Sequence, residues 1–204
     1  MTGERASPTV GRLRWLGLAG TILLAVGAAL AGARPGPAPA SRAEALWGAT
    51  DAFRVGLAAY VAGLVLLGFA WWRLGKLLRG PGAPRHRWVL ATGALWALPL
   101  LVAPPLGSRD IYAYACQGAV WADGHDPYAV GAAAGGCPWA TAVPEVWRET
   151  PAPYGPVALL VLAGAVTLAR ALATGTDTQL VLALGGLRAA AVAGTLLVAA
   201  GTPR

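Results

Sequence analysis

Four stretches of this sequence are so long and so apolar that no soluble fold would bury them all. They cover residues 15–33, 55–72, 88–106 and 157–172, the last with Arg170 near its end, and a less clean fifth run covers residues 180–200. A helix of ~20 residues crosses the hydrocarbon core of a bilayer, so the first three runs fit and the fourth needs help from its flanks. Composition agrees: 56% of the chain is apolar and 12% charged, with glycine and alanine abundant enough to let helix backbones approach closely. The expected fold class is all-α, a polytopic transmembrane bundle of about five spans with a long outer loop.

The net charge of +7 raises the question of a nucleic-acid partner. The basic residues form no dense patch of the kind phosphate neutralisation requires, and sit mostly at the ends of apolar runs. Arg14 and Arg34 bracket the first run, Arg54 and Arg73 the second, Arg87 and Arg109 the third, where guanidinium groups reach headgroups while the apolar part stays immersed. A cleavable signal peptide is the rival reading of the first run, which is longer than the ~7 to 15 residues of a typical signal core. Lys76 is the sole lysine among sixteen basic residues, a trace of a GC-rich, bacterial genome.

Residues 73–87 carry Arg73, Lys76, Arg79, Arg85 and Arg87 with no acid, whereas residues 107–156 set Arg109 and Arg148 against Asp110, Asp123, Asp126, Glu145 and Glu149. The positive-inside rule places the first loop in the cytoplasm, the N-terminus with it, and the acidic loop outside. The domain reading is a cytoplasmic tail at 1–14, three spans over 15–106, an extracytoplasmic loop at 107–156, and one or two further spans over 157–204. Cys116 and Cys137 then lie where a disulfide is permitted, and sequence leaves open whether they pair.

Residues 1–10 read as a disordered tail, and a Pro/Ala linker at 34–40 precedes a short amphipathic segment around 45–53. There is no internal repeat, phosphate-binding glycine loop or Cys/His spacing for zinc, so no motif for a metal or cofactor is visible. Chemistry must lie in the outer loop, which far exceeds the ~4 to 6 residues of a typical connection. Trp121, Trp139, Trp147, Tyr112, Tyr114, Tyr128 and Tyr154 give it too much aromatic surface for a solvated linker.

Within it, Pro104 and Pro105 stop the third span, and Ser108 caps a helix that runs to about Ala122 and ends at Asp123-Gly124. On that helix Ile111, Tyr114, Ala115, Gly118, Trp121 and Ala122 share a face suited to the membrane surface. The stretch Thr150-Pro151-Ala152-Pro153-Tyr154-Gly155-Pro156 cannot be helical and should lead stiffly into the next span.

Three blocks in that loop, Ser108-Arg109-Asp110-Ile111-Tyr112-Ala113-Tyr114, then Gly124-His125-Asp126-Pro127-Tyr128, then Val146-Trp147-Arg148-Glu149-Thr150-Pro151-Ala152-Pro153-Tyr154-Gly155-Pro156, resemble the first large outer loop of the actinobacterial polyprenol-phosphomannose-dependent α(1→6)-mannosyltransferases. Those are membrane glycosyltransferases of the GT-C type. The resemblance implies an inverting enzyme that moves mannose from a polyprenyl-phosphate-mannose donor to a mannan glycolipid acceptor of the cell envelope, in lipomannan biosynthesis, without metal. It implies that Asp110 is the acidic residue of the loop that stands at the active site. Such transferases commonly have many more spans, so a fragment of a longer enzyme, or a truncated inactive copy, is expected.

Transfer of a sugar from a phosphate needs a base for the acceptor hydroxyl, stabilisation of the departing phosphate, and a surface for the sugar. Asp110 fits the base, held ionised by Arg109 and the helix N-terminus. Arg109 and Arg148 could pair with phosphate; Tyr112, Tyr128, Tyr154, Asp126 and Glu149 are the further candidates for substrate contact. Each has a plainer alternative: a helix-dipole partner for Asp110, an Asx turn for Asp126, a solvated acid for Glu149, headgroup anchors for the arginines, an exposed turn for His125, and loop core for the aromatic residues. Arg188 interrupts the last apolar run. Either it meets a polar cavity and a lipid phosphate, or residues 178–187 form a separate helix outside the bilayer, the reading favoured here. A non-catalytic membrane subunit is the alternative function; a transporter half has less to recommend it, since Arg188 is the one charge well inside a span.

Overall fold

The computed structural model describes residues 8–36, 50–81 and 83–201. Among them there are seven α-helices, one 3₁₀ turn and no strand: α1 (Pro8–Ala31), α2 (Asp51–Leu78), α3 (His86–Val102), α4 (Asp110–Ala122), the turn Ala140–Ala142, α5 (Glu145–Arg148), α6 (Pro156–Leu172) and α7 (Thr176–Gly201). The all-helical bundle expected from the sequence is the observed class. Three helices, α1, α2 and α7, are long and apolar enough to cross a membrane. At 17 residues each, α3 and α6 sit at the short end of the ~17 to 25 that span a bilayer.

Several boundaries differ from those read in the sequence, each for a local reason. The predicted tail overlaps α1, whose first turns bury Val10 and Leu13; residues 1–7 lie outside the described residues. Helix α2 starts before Val55 because the Thr50 side chain accepts a hydrogen bond from the Phe53 N–H at 3.3 Å, and Asp51 stands in the positive first turn. Of the amphipathic segment at 45–53, residues 45–49 fall outside the described residues and Asp51 to Phe53 form the first turn of α2. Helix α3 ends at Val102, since Ala103 takes up extended geometry immediately ahead of a Pro-Pro pair that cannot continue a helix. No break occurs at Arg188: α7 is one helix of 26 residues, so the favoured separate helix over 178–187 is replaced by a single rod with the arginine inside it.

The chain divides into two compact units, Met1–Ala33 with Ser41–Gly107, and Arg34–Ala40 with Ser108–Arg204. In the first, α1 and α2 pack through glycines spaced seven apart, Gly20 and Gly27 on one helix and Gly56 and Gly63 on the other. A Cβ at Gly63 would lie 2.7 Å from the Gly20 carbonyl oxygen, and one at Gly27 would lie 2.9 Å from the Gly56 oxygen. Packing this close, backbone on backbone, gains dispersion that survives in lipid, where the hydrophobic effect between helices is absent. Helix α3 is held to α1 by Arg14, whose guanidinium donates to Thr92 Oγ1 at 2.9 Å and the Trp88 carbonyl at 3.1 Å and lies 4.3 Å from the centre of the Trp88 ring. Trp96 Nε1 returns a bond to the Arg14 carbonyl at 2.8 Å. Expected as a headgroup anchor, Arg14 is thus an interhelical clamp.

In the second unit α4 is the core element. Tyr112, Ala113, Ala115, Cys116, Gly118, Ala119 and Val120 are buried; the predicted face shares only Ala115 and Gly118 with them, and its Ala122 is exposed, because helices α6 and α7 and the loop decide which side of α4 is covered. Gly118 lets α4 approach the α6 backbone at Leu162, where a Cβ would come to 2.5 Å from the carbonyl oxygen. A disulfide joins Cys116 to Cys137, and Trp139 Nε1 donates to the Thr176 carbonyl at 3.1 Å, tying the loop to the start of α7. Where α4 ends, Asp123 accepts both ends of the Arg170 guanidinium, at 2.6 and 3.1 Å.

Candidate active site

Asp110 opens α4, with its own N–H bonded to Ser108 Oγ at 3.1 Å. Its carboxylate therefore sits at the positive end of a 13-residue helix. Among the described residues it forms no ion pair. Arg109, expected beside it, donates instead to the carbonyls of Gly36 at 2.5 Å and Ala142 at 3.5 Å, because buried loop carbonyls need donors. The half-buried carboxylate lines a partly enclosed cavity of about 50 Å³. The other walls are Ala113, Tyr114 and Gln117, which follow Asp110 on the same helical face, and Trp147, Pro153 and Tyr154 from the returning loop.

The two tyrosines are coupled. Their rings meet edge to face with centroids 5.3 Å apart, and the hydrogen bond that the Tyr114 hydroxyl donates to Tyr154, then burial, then the negative charge that Tyr154 and Asp110 can carry push the Tyr114 pKa up to about 12. Tyr114 is consequently a neutral phenol, a donor as well as an acceptor, beside an acidic group. Beneath the helix, Tyr112 is fully buried; burial raises its pKa and the charges of Arg109 and Arg188 pull against that rise.

Of the residues singled out from sequence, Asp110 and Tyr154 converge on this cavity, and the others are placed elsewhere. Arg148 clasps the loop, its guanidinium donating to the carbonyls of Ala140 and Val143 at 3.2 Å each. Asp126 makes the Asx turn that was its plainer reading, Oδ1 accepting from the Tyr128 N–H at 2.9 Å. The Tyr128 hydroxyl donates to the Tyr154 carbonyl at 2.7 Å, so it braces the backbone that carries Tyr154. Glu149 is exposed, and its backbone packs on Gly131 so closely that a Cβ there would collide with it. Asp126 and Tyr128 share a shallower cleft of about 400 Å³ with Trp121, Gly124, His125 and Pro127 at the far end of α4. Ala113, Tyr114, Gln117, Trp147 and Pro153 were missed as site residues. Gln117 was legible, since positions 110, 113, 114 and 117 fall on one face at helical spacing.

Residues 14–204 match the family model described as "Alpha-(1->6)-mannopyranosyltransferase, N-terminal domain". The chain belongs to this family. It is 36% identical over 197 residues to an alpha-(1->6)-mannopyranosyltransferase of Mycobacterium tuberculosis, covering 95% of this chain and 32% of the relative. A probable alpha-(1->6)-mannopyranosyltransferase of Mycolicibacterium smegmatis matches at 36%, over 95% of this chain and 34% of the relative. Alpha-(1->6)-mannopyranosyltransferase A of M. tuberculosis matches at 41% over 99 residues, 48% of this chain and 19% of its own. The chain thus spans about a third of the length of the first two relatives. No solved structure matches it. Membership makes the mannosyltransferase family the frame for the Asp110 cavity, which is lined by the first and third sequence blocks that carried the resemblance.

Proposed function

We propose that the Asp110 cavity is where a mannosyl group carried on a polyprenyl phosphate passes to a hydroxyl of a mannan glycolipid, as in a GT-C transferase of lipomannan assembly. The single observation that carries this reading is the Asp110 carboxylate, outside any ion pair among the described residues, at a helix N-terminus and walled by Tyr114, Trp147 and Tyr154. A general base must be within reach of the proton it takes, and a carboxylate that lines the cavity without an ion pair among the described residues can meet that condition.

In the step proposed, the acceptor oxygen attacks C1 of mannose as its proton goes to Asp110. The bond from C1 to the phosphate oxygen breaks, and the phosphate leaves with the electron pair. From a β-linked donor, one in-line displacement inverts C1 and gives the α linkage. Phosphate is a good enough leaving group to need no protonation, and no metal is required in this scheme. Arg109 and Arg148 leave guanidinium N–H groups beyond those used on loop carbonyls, and these can meet the phosphate. Tyr112 and Glu149 act through position, one under α4 and the other behind Gly131, while the cleft at Asp126 and Tyr128 carries more distant acceptor sugars. The cavity of about 50 Å³ is far smaller than the ~300 to 1,000 Å³ of an enclosing ligand pocket, so it receives the reacting group and not a whole sugar.

The disulfide favours the outer face for this site, because such bonds persist in oxidising compartments. With the basic 73–87 loop in the cytoplasm, the chain is multi-pass with its N-terminus inside. The test is direct: membranes holding the complete protein that carries this chain should transfer labelled mannose from polyprenyl-phosphate-mannose, and not from GDP-mannose, to an α-mannoside acceptor. Use of the nucleotide sugar alone would reject the donor and the outer face together.

A further inference from the structure

The cavity has a polar end that the proposed chemistry has not yet used. Gln117 Oε1 is shut off from solvent and has no hydrogen-bond partner among the described residues. Native proteins rarely leave a buried acceptor unmet, and where they do the group is often kept for a ligand or for water. Gln117 lies seven residues after Asp110, about 10 Å along the helix axis at 1.5 Å per residue. Helical side chains lean towards the N-terminus, so the carboxamide reaches back in the direction of Asp110. Both residues line one cavity, with Ala113 and Tyr114 between them.

We propose that this cavity admits the exocyclic hydroxymethyl arm of the acceptor mannose, and that Gln117 is the residue that selects it. The inference rests on the transferase reading above and deepens it. A space of about 50 Å³ takes a few waters, at roughly 10 to 15 Å³ each, but no pyranose ring. A ring hydroxyl is attached directly to the ring, so it cannot enter unless the ring follows. The hydroxymethyl group stands one carbon out and can. A turn of the Gln117 side chain brings its amide N–H into the cavity to meet the hydroxymethyl oxygen, whose own proton is then directed at Asp110. In either orientation one buried polar atom of Gln117 lacks a partner until a hydroxyl arrives. Narrowness and one amide would thus set a 1→6 linkage without any contact to the rest of the ring.

The experiment uses the complete membrane-embedded enzyme with an α-mannobioside acceptor, and with the analogue whose terminal sugar lacks the 6-hydroxyl as a competitive inhibitor. Gln117→Leu keeps the side-chain bulk and removes the amide. The expected result is a roughly tenfold rise in acceptor KM, the size of one lost hydrogen bond, with donor KM within about twofold. The deoxy analogue, a weaker ligand than the acceptor for wild type, should bind both enzymes alike. Thermal stability should hold or increase, because an unmet buried acceptor has been removed. Unchanged acceptor KM would overturn the proposal, as would a joint rise of both KM values with a lower Tm, which marks a packing role. If the leucine variant does not accumulate, Gln117→Ala carries the same comparison. A wild-type enzyme that transfers no mannose would reject the transferase reading itself, a result separable from failure of the Gln117 comparison.

Discussion

Tyr114 on α4 and Tyr154 on the returning loop are joined edge to face, with ring centroids 5.3 Å apart and planes at 87°. The pair connects the helix that carries Asp110 to the proline-rich strap that closes the cavity. Its hydrogen bond is the largest cause that holds the Tyr114 phenol protonated up to about 12. Because the folded pKa is raised, any stability this proton contributes is full below the unfolded value of about 10 and is lost as pH climbs through the folded one. Tyr154→Phe removes the hydrogen bond and keeps the ring. Ultraviolet titration of the purified enzyme should then show one phenol moved from near 12 towards 10, and stability should begin to fall at lower alkaline pH than in wild type. An unmoved titration would mean that the two hydroxyls are not coupled.

The Cys116–Cys137 bond closes a loop of 21 residues between a buried helical position and the turn before Trp139. On the chain-entropy account such a closure is worth about 3 kcal/mol. A Cys116→Ser/Cys137→Ser enzyme should therefore be less stable by a margin of that order and more readily cleaved in the 125–155 segment by an added protease. Equal stability of the double variant and wild type under oxidising conditions would show that the loop is held by its hydrogen bonds alone.

Acid should loosen the opposite end of α4. The hydrogen bond from Arg170 is the main cause that lowers the Asp123 pKa below its usual value. A depressed folded pKa contributes stability above the unfolded value, about 3.9, and loses it as pH falls through the folded one. Both side chains are partly exposed, at 29% and 37%, so solvent screening keeps the effect small. Asp123→Asn should lower Tm slightly at pH 7 and not at all near pH 2, where wild type has itself lost the pair. A deficit that is the same at both pH values would place the contribution of Asp123 in packing or hydrogen bonding instead of charge.

Much of the fold was legible because hydropathy and helix punctuation are local signals. The end of α3 ahead of Pro104 and Pro105, the start of α4 after Ser108, its end at Asp123-Gly124 and the extended strap before Pro156 all follow from residues within a few positions of the boundary. What depends on partners distant in sequence was not legible. Nothing near Arg14 announces that Thr92 and Trp88 will claim its guanidinium, and nothing near Arg109 or Arg148 announces the loop carbonyls that claim theirs. For the same reason the predicted apolar face of α4 shares only Ala115 and Gly118 with the buried one, since it took no account of the helices and loop that cover Tyr112, Cys116 and Ala119. Asp110 was accessible because its surroundings are the helix N-terminus it begins; the place of Gln117 on the same helical face was legible too, but its unmet acceptor is a property of packing and was not.

The central claim is that transfer depends on the Asp110 carboxylate, and Asp110→Asn tests it most directly. The substitution keeps size and hydrogen-bonding capacity and removes the charge. Since no ion pair is broken among the described residues, insertion and thermal stability should be preserved. General-base contributions are typically ~10² to 10⁴-fold, so mannose transfer from polyprenyl-phosphate-mannose by the complete enzyme should fall by at least about a hundredfold. Asp126→Asn and Glu149→Gln, whose carboxylates lie off the cavity, should each cost much less. A correctly inserted Asp110→Asn enzyme that turns over at a near-normal rate would contradict the account.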